Sequence, residues 1–479
     1  MNYKMIRHIL GWVLKIEAIA MLMPLICAFI FKEQLCVYSF AATIAICFLT
    51  GLIFSIRRPK KHVMYAKEGF ISVALSWILL SLFGALPFVI SKCIPNYIDA
   101  LFETVSGLST TGASILTDVE AMPKSMIFWR SLTHWIGGMG VLVFLVALLP
   151  LSGSNNMYLV RAESPGPTVG KLVPKIKNTA MILYSIYIVF TLIQIILLMA
   201  GGMDWFDAVI HAFGTAGTGG FGIKNTSVAG YSPYIQWVIT VFMIIFGVDF
   251  SMYHLILMKK GGLIFKSDEF RGYFAIIAIS VTFITINCLS MFDGVASALR
   301  HSAFQVASVM TTTGFSTTDF DKWPEFSKTI LVILMFIGAS AGSTGGGIKV
   351  SRIIILFKSI VKEIRICVHP KNTLKVNMSG KTVEHETLRA VNVFIMAYLG
   401  IFVLSLLVIS IDNFDFTTNF TAVLATLNNI GPGLGMVGPT GNFSQYSILS
   451  KLIFCFDMLA GRLELFPMLI LFSPYTWKK

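Results

Sequence analysis

Long apolar runs alternate with short polar segments along the whole chain. Ten runs are long enough to cross a bilayer as helices, which takes about 20 residues each. They fall at 9–31, 35–56, 70–91, 126–150, 178–201, 232–258, 272–292, 327–359, 388–411 and 446–472. Four further stretches are semi-apolar and 12–16 residues long, too short to span but long enough for a re-entrant half-helix. These are Ile98–Ser109, Trp205–Ala216, Val295–Met310 and Phe416–Leu427.

Each half-helix runs into a short glycine motif: STTGAS (109–114), GTGGFG (217–222), TTTGFS (311–316) and NNIGPG (428–433). With Gly112, Gly220, Gly314 and Gly431 as anchors, the spacings are 220 − 112 = 108, 314 − 220 = 94 and 431 − 314 = 117. Two positions before the anchors stand Thr110, Thr218, Thr312 and Asn429. Thirteen positions before the first two stand Asp99 and Asp207, each followed by alanine. The pattern predicts an all-α membrane protein built from four membrane–pore–membrane repeats around one pore, plus two extra N-terminal helices. The repeats fall at 70–150, 178–258, 272–359 and 388–472, with 1–56 outside them.

Composition supports a membrane protein. Hydrophobic residues make up 56%, charged residues only 13%, and mean hydropathy is +0.78. The first two apolar stretches carry no cleavage pattern and are expected to be retained. The net charge of +13 reads as topology and not as affinity for nucleic acid. Segments 57–67, 151–178, 259–271 and 349–389 hold 5, 4, 4 and 9 Lys/Arg. They alternate with acid-bearing segments at 95–124, 203–207, 319–325 and 412–415. The basic set fits the cytoplasm, with both termini inside, and every glycine motif then lies on the outer side. Seven scattered cysteines with no CxxC predict neither a disulfide nor a transition-metal site.

Irregular backbone at membrane depth is costly unless it lines a water-filled cavity. A dehydrated cation needs oxygen ligands, and consecutive backbone carbonyls supply them where glycine permits the dihedrals. The half-helices aim the negative ends of their dipoles at the loops, which favours a cation. Threonine one or two positions before the anchor can add a hydroxyl. No charged residue lies within two positions of any anchor. That argues for a monovalent carbonyl filter over an acidic ring. The candidate filter comprises Thr110, Thr111, Gly112, Thr218, Gly219, Gly220, Thr312, Thr313, Gly314, Asn429, Ile430 and Gly431.

Here the chain resembles the Trk/Ktr/HKT potassium transporter superfamily, and closely its TrkH-like bacterial members. The residues that carry the resemblance are ETVSGLSTTGAS (103–114), GTAGTGGFG (214–222), TTTGFST (311–317), NNIGPGLG (428–435), AGSTGGGIKVSR (341–352) and GRLELFP (461–467). The resemblance implies potassium as the transported substrate, a homodimer with one pore per subunit in the cytoplasmic (inner) membrane, and no cofactor on this chain. It also implies a cytoplasmic TrkA-like regulatory ring that binds the nucleotide, ATP/ADP or NAD. The basic segments 151–178 and 349–389 would be its docking surface. In this superfamily glycine in all four loops goes with potassium selectivity, and serine at the position of Gly112 with sodium permeation.

The apolar run after the third motif is interrupted by GASAGSTGGG (338–347). A polar, glycine-rich break in a membrane helix belongs beside a cavity. The resemblance implies an intramembrane gating loop here: Ala341, Gly342, Ser343, Thr344, Gly345, Gly346 and Gly347. Arg462 lies deep in the last apolar run, where a lone cation is expensive and usually functional. The resemblance implies that it projects under the filter and tethers the loop; Asp457 and Glu464 are its alternative partners. Asp249 stands where the family pattern leads one to expect Asn, and Lys349 is placed to pair with one of the buried acids. Arg130 and His134 read as interfacial anchors. His211, His254 and His301 are too dispersed for a metal cluster.

Two motif hits are coincidences. Gly217, Gly219 and Gly222 satisfy GxGxxG, but no strand precedes them. The run from Gly342 to Lys349 resembles a phosphate loop, yet Ile348 separates the last glycine from the lysine. No catalytic set converges, so an enzyme is not expected. A sodium- or proton-coupled secondary transporter with a midplane site between broken helices is the competing class. It favours two inverted repeats, where this chain carries four units of the same sense.

Overall fold

The computed structural model describes residues 1–56, 65–140, 176–370 and 374–477. The protein is an all-helical membrane fold, with a single two-stranded hairpin among the described residues. Six described helices are long and apolar enough to cross a membrane, or seven if one bent pair is counted. Tyr3–Ala20 continues into Leu22–Ile30, and Gln34–Ser55 folds back along it. A side chain at Gly11 would meet the Gly51 carbonyl at 2.7 Å, and one at Gly51 the Gly11 carbonyl at 2.8 Å. The two backbones therefore touch directly, as small residues allow in membrane helix pairs. The outer face of Gln34–Ser55 leaves Leu35, Tyr38, Leu49 and Ile53 exposed, as a surface meeting lipid requires.

The four half-helices form where the pattern placed them: Tyr97–Leu108, Trp205–Ala216, Val295–Met310 and Phe416–Leu427. Three have N-caps whose side chains accept a backbone N–H. Asn96 takes it from Ile98, Asp204 from Phe206 and Asp415 from Thr418. Such caps satisfy donors that a helix start leaves open. Gly294 starts the third without a side-chain cap.

The structure adds breaks within the expected spans. The helix that follows each glycine loop is short. The first, Lys124–Gly138, ends two residues before the described residues do, and 141–150 of that expected span lies outside them. The second breaks between Pro233–Phe246 and Phe250–Leu257 with a 90° bend. The third breaks between Glu325–Ile337 and Val350–Val368, and the fourth between Ile448–Arg462 and Phe466–Phe472. Only the third break was expected. The second falls at Gly247 and the cap Asp249, and the fourth at two residues with positive φ, Glu464 and Leu465. An average of side-chain hydropathy does not register such a backbone break. Of the basic segments, 57–64 and 151–175 lie outside the described residues.

Candidate functional site

All four half-helices end alike. In each, the amide two residues before the anchor glycine donates to a carbonyl three residues back, at 3.1, 3.0, 3.1 and 3.3 Å. The next amide reaches five residues back, Thr111 to Ser106 at 2.9 Å and Gly219 to Gly214, Thr313 to Ser308 and Ile430 to Ala425 at 2.8 Å. This paired pattern is a Schellman cap, whose pivot takes left-handed backbone and is ordinarily glycine. Here the pivots are Thr110, Thr218, Thr312 and Asn429, with φ of 57°, 55°, 58° and 56°. A side chain in that region costs about 1–2 kcal/mol, and a β-branched one is a genuine outlier. Asn429 is the least strained, because its short amide tolerates the region. The anchors Gly112, Gly220, Gly314 and Gly431 then have φ of 82°, 77°, 85° and 97°. Local strain repeated at one position in four copies marks a functional constraint.

The anchors close a ring. A side chain at Gly112 would meet the Gly219 carbonyl oxygen at 2.0 Å, and one at Gly220 the Thr313 oxygen at 2.1 Å. At Gly314 it would meet the Ile430 oxygen at 2.2 Å, and at Gly431 the Thr111 oxygen at 2.7 Å. Each anchor thus abuts the carbonyl just before the next anchor, and the fourth abuts the first. The twelve loop residues come together around one axis in chain order.

Apart from Thr110, whose buried hydroxyl has no partner among the described residues, their hydroxyls are engaged within the protein. Thr111 pairs with Ser109 and Thr313 with Thr311, both at 2.7 Å, and Thr218 donates to the Gly217 carbonyl at 2.6 Å. Asn429 donates to Thr111 at 3.0 Å and to the Met458 carbonyl at 2.8 Å. What the four loops share is their backbone carbonyls.

The loops are braced from behind. Glu103, fully buried on the first half-helix, accepts from Arg130 Nε at 2.5 Å, from the Ile115 amide at 3.0 Å and from the Ser114 hydroxyl. The Arg130 guanidinium stacks 3.5 Å from the Phe221 ring, joining the first loop to the second. His134 is also buried, with Nδ1 2.7 Å from the Gly107 carbonyl and its ring against Gly219. Neither residue is an interfacial anchor: both face the loops they support. In the sequence Glu103 reads as one acid of the outer segment 95–124 and as part of a resemblance motif, without a role of its own. The signal that points to it is an acid placed well inside a half-helix, close to the glycine loop. His211 stacks on Phe315 and His301 on Phe292, so each is a packing residue.

A cavity of about 140 Å³ opens on one side of the ring and touches all four anchor glycines. A second, of about 100 Å³, is lined by Gly342, Ser343, Gly345, Gly346, Lys349 and Arg462 among others, and shares no residue with the first. The interrupted segment lies against the ring. The Gly346 amide donates to the Thr312 hydroxyl at 2.7 Å, and a side chain at Gly346 would meet the Asn428 carbonyl at 2.4 Å. Thr344 donates to the Phe246 carbonyl at 3.2 Å.

Arg462 joins this segment to the first repeat. Its guanidinium donates to the Thr344 carbonyl at 2.7 Å, to Gly138 at 2.7 Å and to Gly137. The latter two belong to the C-terminal end of Lys124–Gly138, a natural seat for a cation. Its alternative partners are engaged elsewhere: Glu464 with Arg352, and Asp457 with Ser405 at 2.8 Å. Lys349 donates to the Gly345 carbonyl. Asp249 caps Phe250–Leu257, and the Phe250 amide bonds the Gly342 carbonyl at 3.1 Å. Among the described residues no His, Cys, Asp or Glu cluster has metal-binding geometry.

Comparison with known proteins agrees with this architecture. A family described as "TrkH: Cation transport protein" matches residues 37–479. The Trk system potassium uptake protein TrkH of Escherichia coli K12 is 36% identical over 490 residues, covering both chains completely. The Trk system potassium uptake protein TrkG of the same organism is 33% identical over 100% of this chain and 99% of its own. The crystal structure of the potassium transporter TrkH from Vibrio parahaemolyticus superposes with a TM-score of 0.89 at 33% identity, over the full length of both chains. With likeness of sequence and fold running from end to end, the chain belongs to the TrkH family of cation transport proteins.

Proposed function

We propose that this protein is the membrane subunit of a potassium uptake system, a channel-like path whose selectivity comes from backbone carbonyls of the four glycine loops. The observation that carries the reading is the closed ring, in which glycines and carbonyls of successive repeats alternate. The names of its full-length relatives support potassium as the substrate. Thr110–Gly112, Thr218–Gly220, Thr312–Gly314 and Asn429–Gly431 form the filter. The dipoles of four half-helices converge on it and stabilise a cation without a fixed acid.

Ala341–Gly347 is the gate, with Arg462 as its tether. The segment packs against Thr312 and Asn428, and a cation leaving the filter meets it and a guanidinium together. The charge bias supports both termini in the cytoplasm and the ring toward the outside of the inner membrane. The repeat units run 70–150, 178–258, 272–359 and 388–472, preceded by the extra pair at 1–56. The complex is a homodimer, and its cytoplasmic partner is a TrkA-like ring that carries the nucleotide. This chain itself binds no cofactor.

Purified protein in vesicles should take up rubidium in a way that potassium competes for and sodium and lithium do not. Equal block by sodium would overturn the potassium assignment. Uptake that requires a proton or sodium gradient would favour a coupled transporter instead.

A further inference from the structure

The helix Asp268–Asn287 begins with two adjacent acids that face different partners. Glu269 is buried, and its Oε1 accepts from the Ala341 amide at 2.7 Å and from the Ser351 amide at 3.2 Å. Ala341 opens the gate segment, and Ser351 lies in the first turn of Val350–Val368, the helix that follows it. One carboxylate therefore pins the segment at both ends. Ser351 N–H is a donor that a helix start leaves without an intrahelical partner. A carboxylate there is further favoured by the helix dipole.

Asp268 faces the hairpin, which lies in the basic segment read as cytoplasmic. Its Oδ2 accepts from Lys358 Nζ at 2.6 Å and from the Ser379 amide at 2.9 Å, and its own amide donates to the Ser379 hydroxyl at 3.0 Å. Lys358 also donates to the Asn377 carbonyl at 2.8 Å. Ser379 and Gly380 form the turn of the hairpin that pairs Asn377–Met378 with Lys381–Thr382. With φ of 52° and 78°, they fit a tight two-residue hairpin turn. The hairpin is thus fastened to the residue next to the gate latch. Gly272, one turn on, brings the helix close to Ile354, where a side chain would meet the Ile354 methyl at 2.8 Å. The helix start, the gate segment and the hairpin are held as one packed unit.

We infer that Glu269 is a positioning residue that latches the gate segment closed, and that Asp268 beside it transmits displacement of the cytoplasmic hairpin to that latch. This rests on the gate assigned above. A partner that pulls the hairpin away from Asp268 loosens the helix start and weakens both Glu269 bonds at once. The filter is untouched, so flux rises while selectivity holds.

The test is rubidium flux through the full-length protein in liposomes, with the rubidium-to-sodium ratio measured alongside. Glu269→Ala should raise basal flux about tenfold, the scale of a hydrogen bond to a charged group. Glu269→Gln keeps a carbonyl acceptor and should fall between it and the parent. Both should keep the parental ion ratio; a loss of ratio, or flux that falls with folded yield, marks a merely structural residue and overturns the inference. Asp268→Asn should raise flux less. The pair Asp268→Asn/Glu269→Ala should match Glu269→Ala alone, because residues acting in series are not additive. Additive effects would overturn the transmission step. Deletion of Ala341–Gly347 is the control. If it raises flux and Glu269→Ala does not, the latch fails and the gate stands. If it leaves flux unchanged, the gate fails and the latch with it.

Discussion

At the scale of single residues, the anchor glycines owe their identity to two constraints at once. Their φ is positive, and a backbone oxygen of the next loop sits where Cβ would be. The second constraint is graded: the oxygen is 2.0 Å away at Gly112 but 2.7 Å away at Gly431. Gly112→Ser must therefore push the Gly219 carbonyl outward, whereas Gly431→Ser needs a smaller shift. The first should lower discrimination of potassium from sodium about tenfold, or roughly 1.4 kcal/mol, and the second measurably less. Reversal potentials under mixed-ion conditions test this order, and equal effects at the two positions would count against a ring closed by glycine–carbonyl contacts. The threonine pivots make the converse argument. They hold strained backbone that glycine would relax, and two of them are tied back into the protein, Thr218 through the Gly217 carbonyl and Thr312 through the Gly346 amide. Replacement by glycine would ease the strain but free the loop.

At the scale of elements, the half-helices depend on their caps as well as their packing. Asp415 starts the fourth, and the Thr418 hydroxyl and amide hold its carboxyl below the usual 3.8, the side-chain bond being the larger cause. A carboxyl lowered on folding contributes stability that is fully present above its unfolded value and lost as pH falls through its folded one. Unfolding temperature should thus drop below about pH 4. Asp415→Asn, which caps without titrating, should flatten that part of the profile. Asp415→Ala should cost about 1 kcal/mol at neutral pH. Thermal unfolding in detergent across this range reads both, and an unchanged acid limb in Asp415→Asn would refute the assignment. The half-helices were largely legible in the sequence. Trp205–Ala216, Val295–Met310 and Phe416–Leu427 run to their expected ends, and the first differs by one residue at each end. Apolar length, caps and a terminal glycine all agree there. The breaks at 247–249 and 463–465 were not legible, because the apolar count continues across them while the backbone does not. The Glu103–Arg130 brace was hidden for another reason. It joins a half-helix to the next helix, 27 residues on, and only the fold brings the two charges together.

At the scale of the whole molecule, the four-loop ring and the interrupted segment occupy adjacent but separate parts. The ring is built from all four glycine loops, whereas the interrupted segment follows the third and is joined by Arg462 of the last helix pair to the Gly137–Gly138 helix end. They meet at few points, chiefly the Gly346 amide on Thr312 and the Gly346 backbone against Asn428. A change that shifts the segment while leaving the ring intact should alter how much passes and not which ion passes. Gly346→Ala is the least invasive such change, because it keeps chain length and its φ is not in the left-handed region. Its methyl would lie 2.4 Å from the Asn428 carbonyl and must push the segment away from the ring. Arg462→Ala removes the tether on the opposite side, releasing the Thr344 carbonyl from the Gly137–Gly138 helix end. Each should raise rubidium flux several-fold, on the scale of one hydrogen bond to a charged donor or one displaced contact. The two should be non-additive, since both act on one segment with one closed position. In both, the rubidium-to-sodium ratio should stay at the parental value. A fall in that ratio would mean that the segment helps to shape the filter from below, and selection and closure would then be one device.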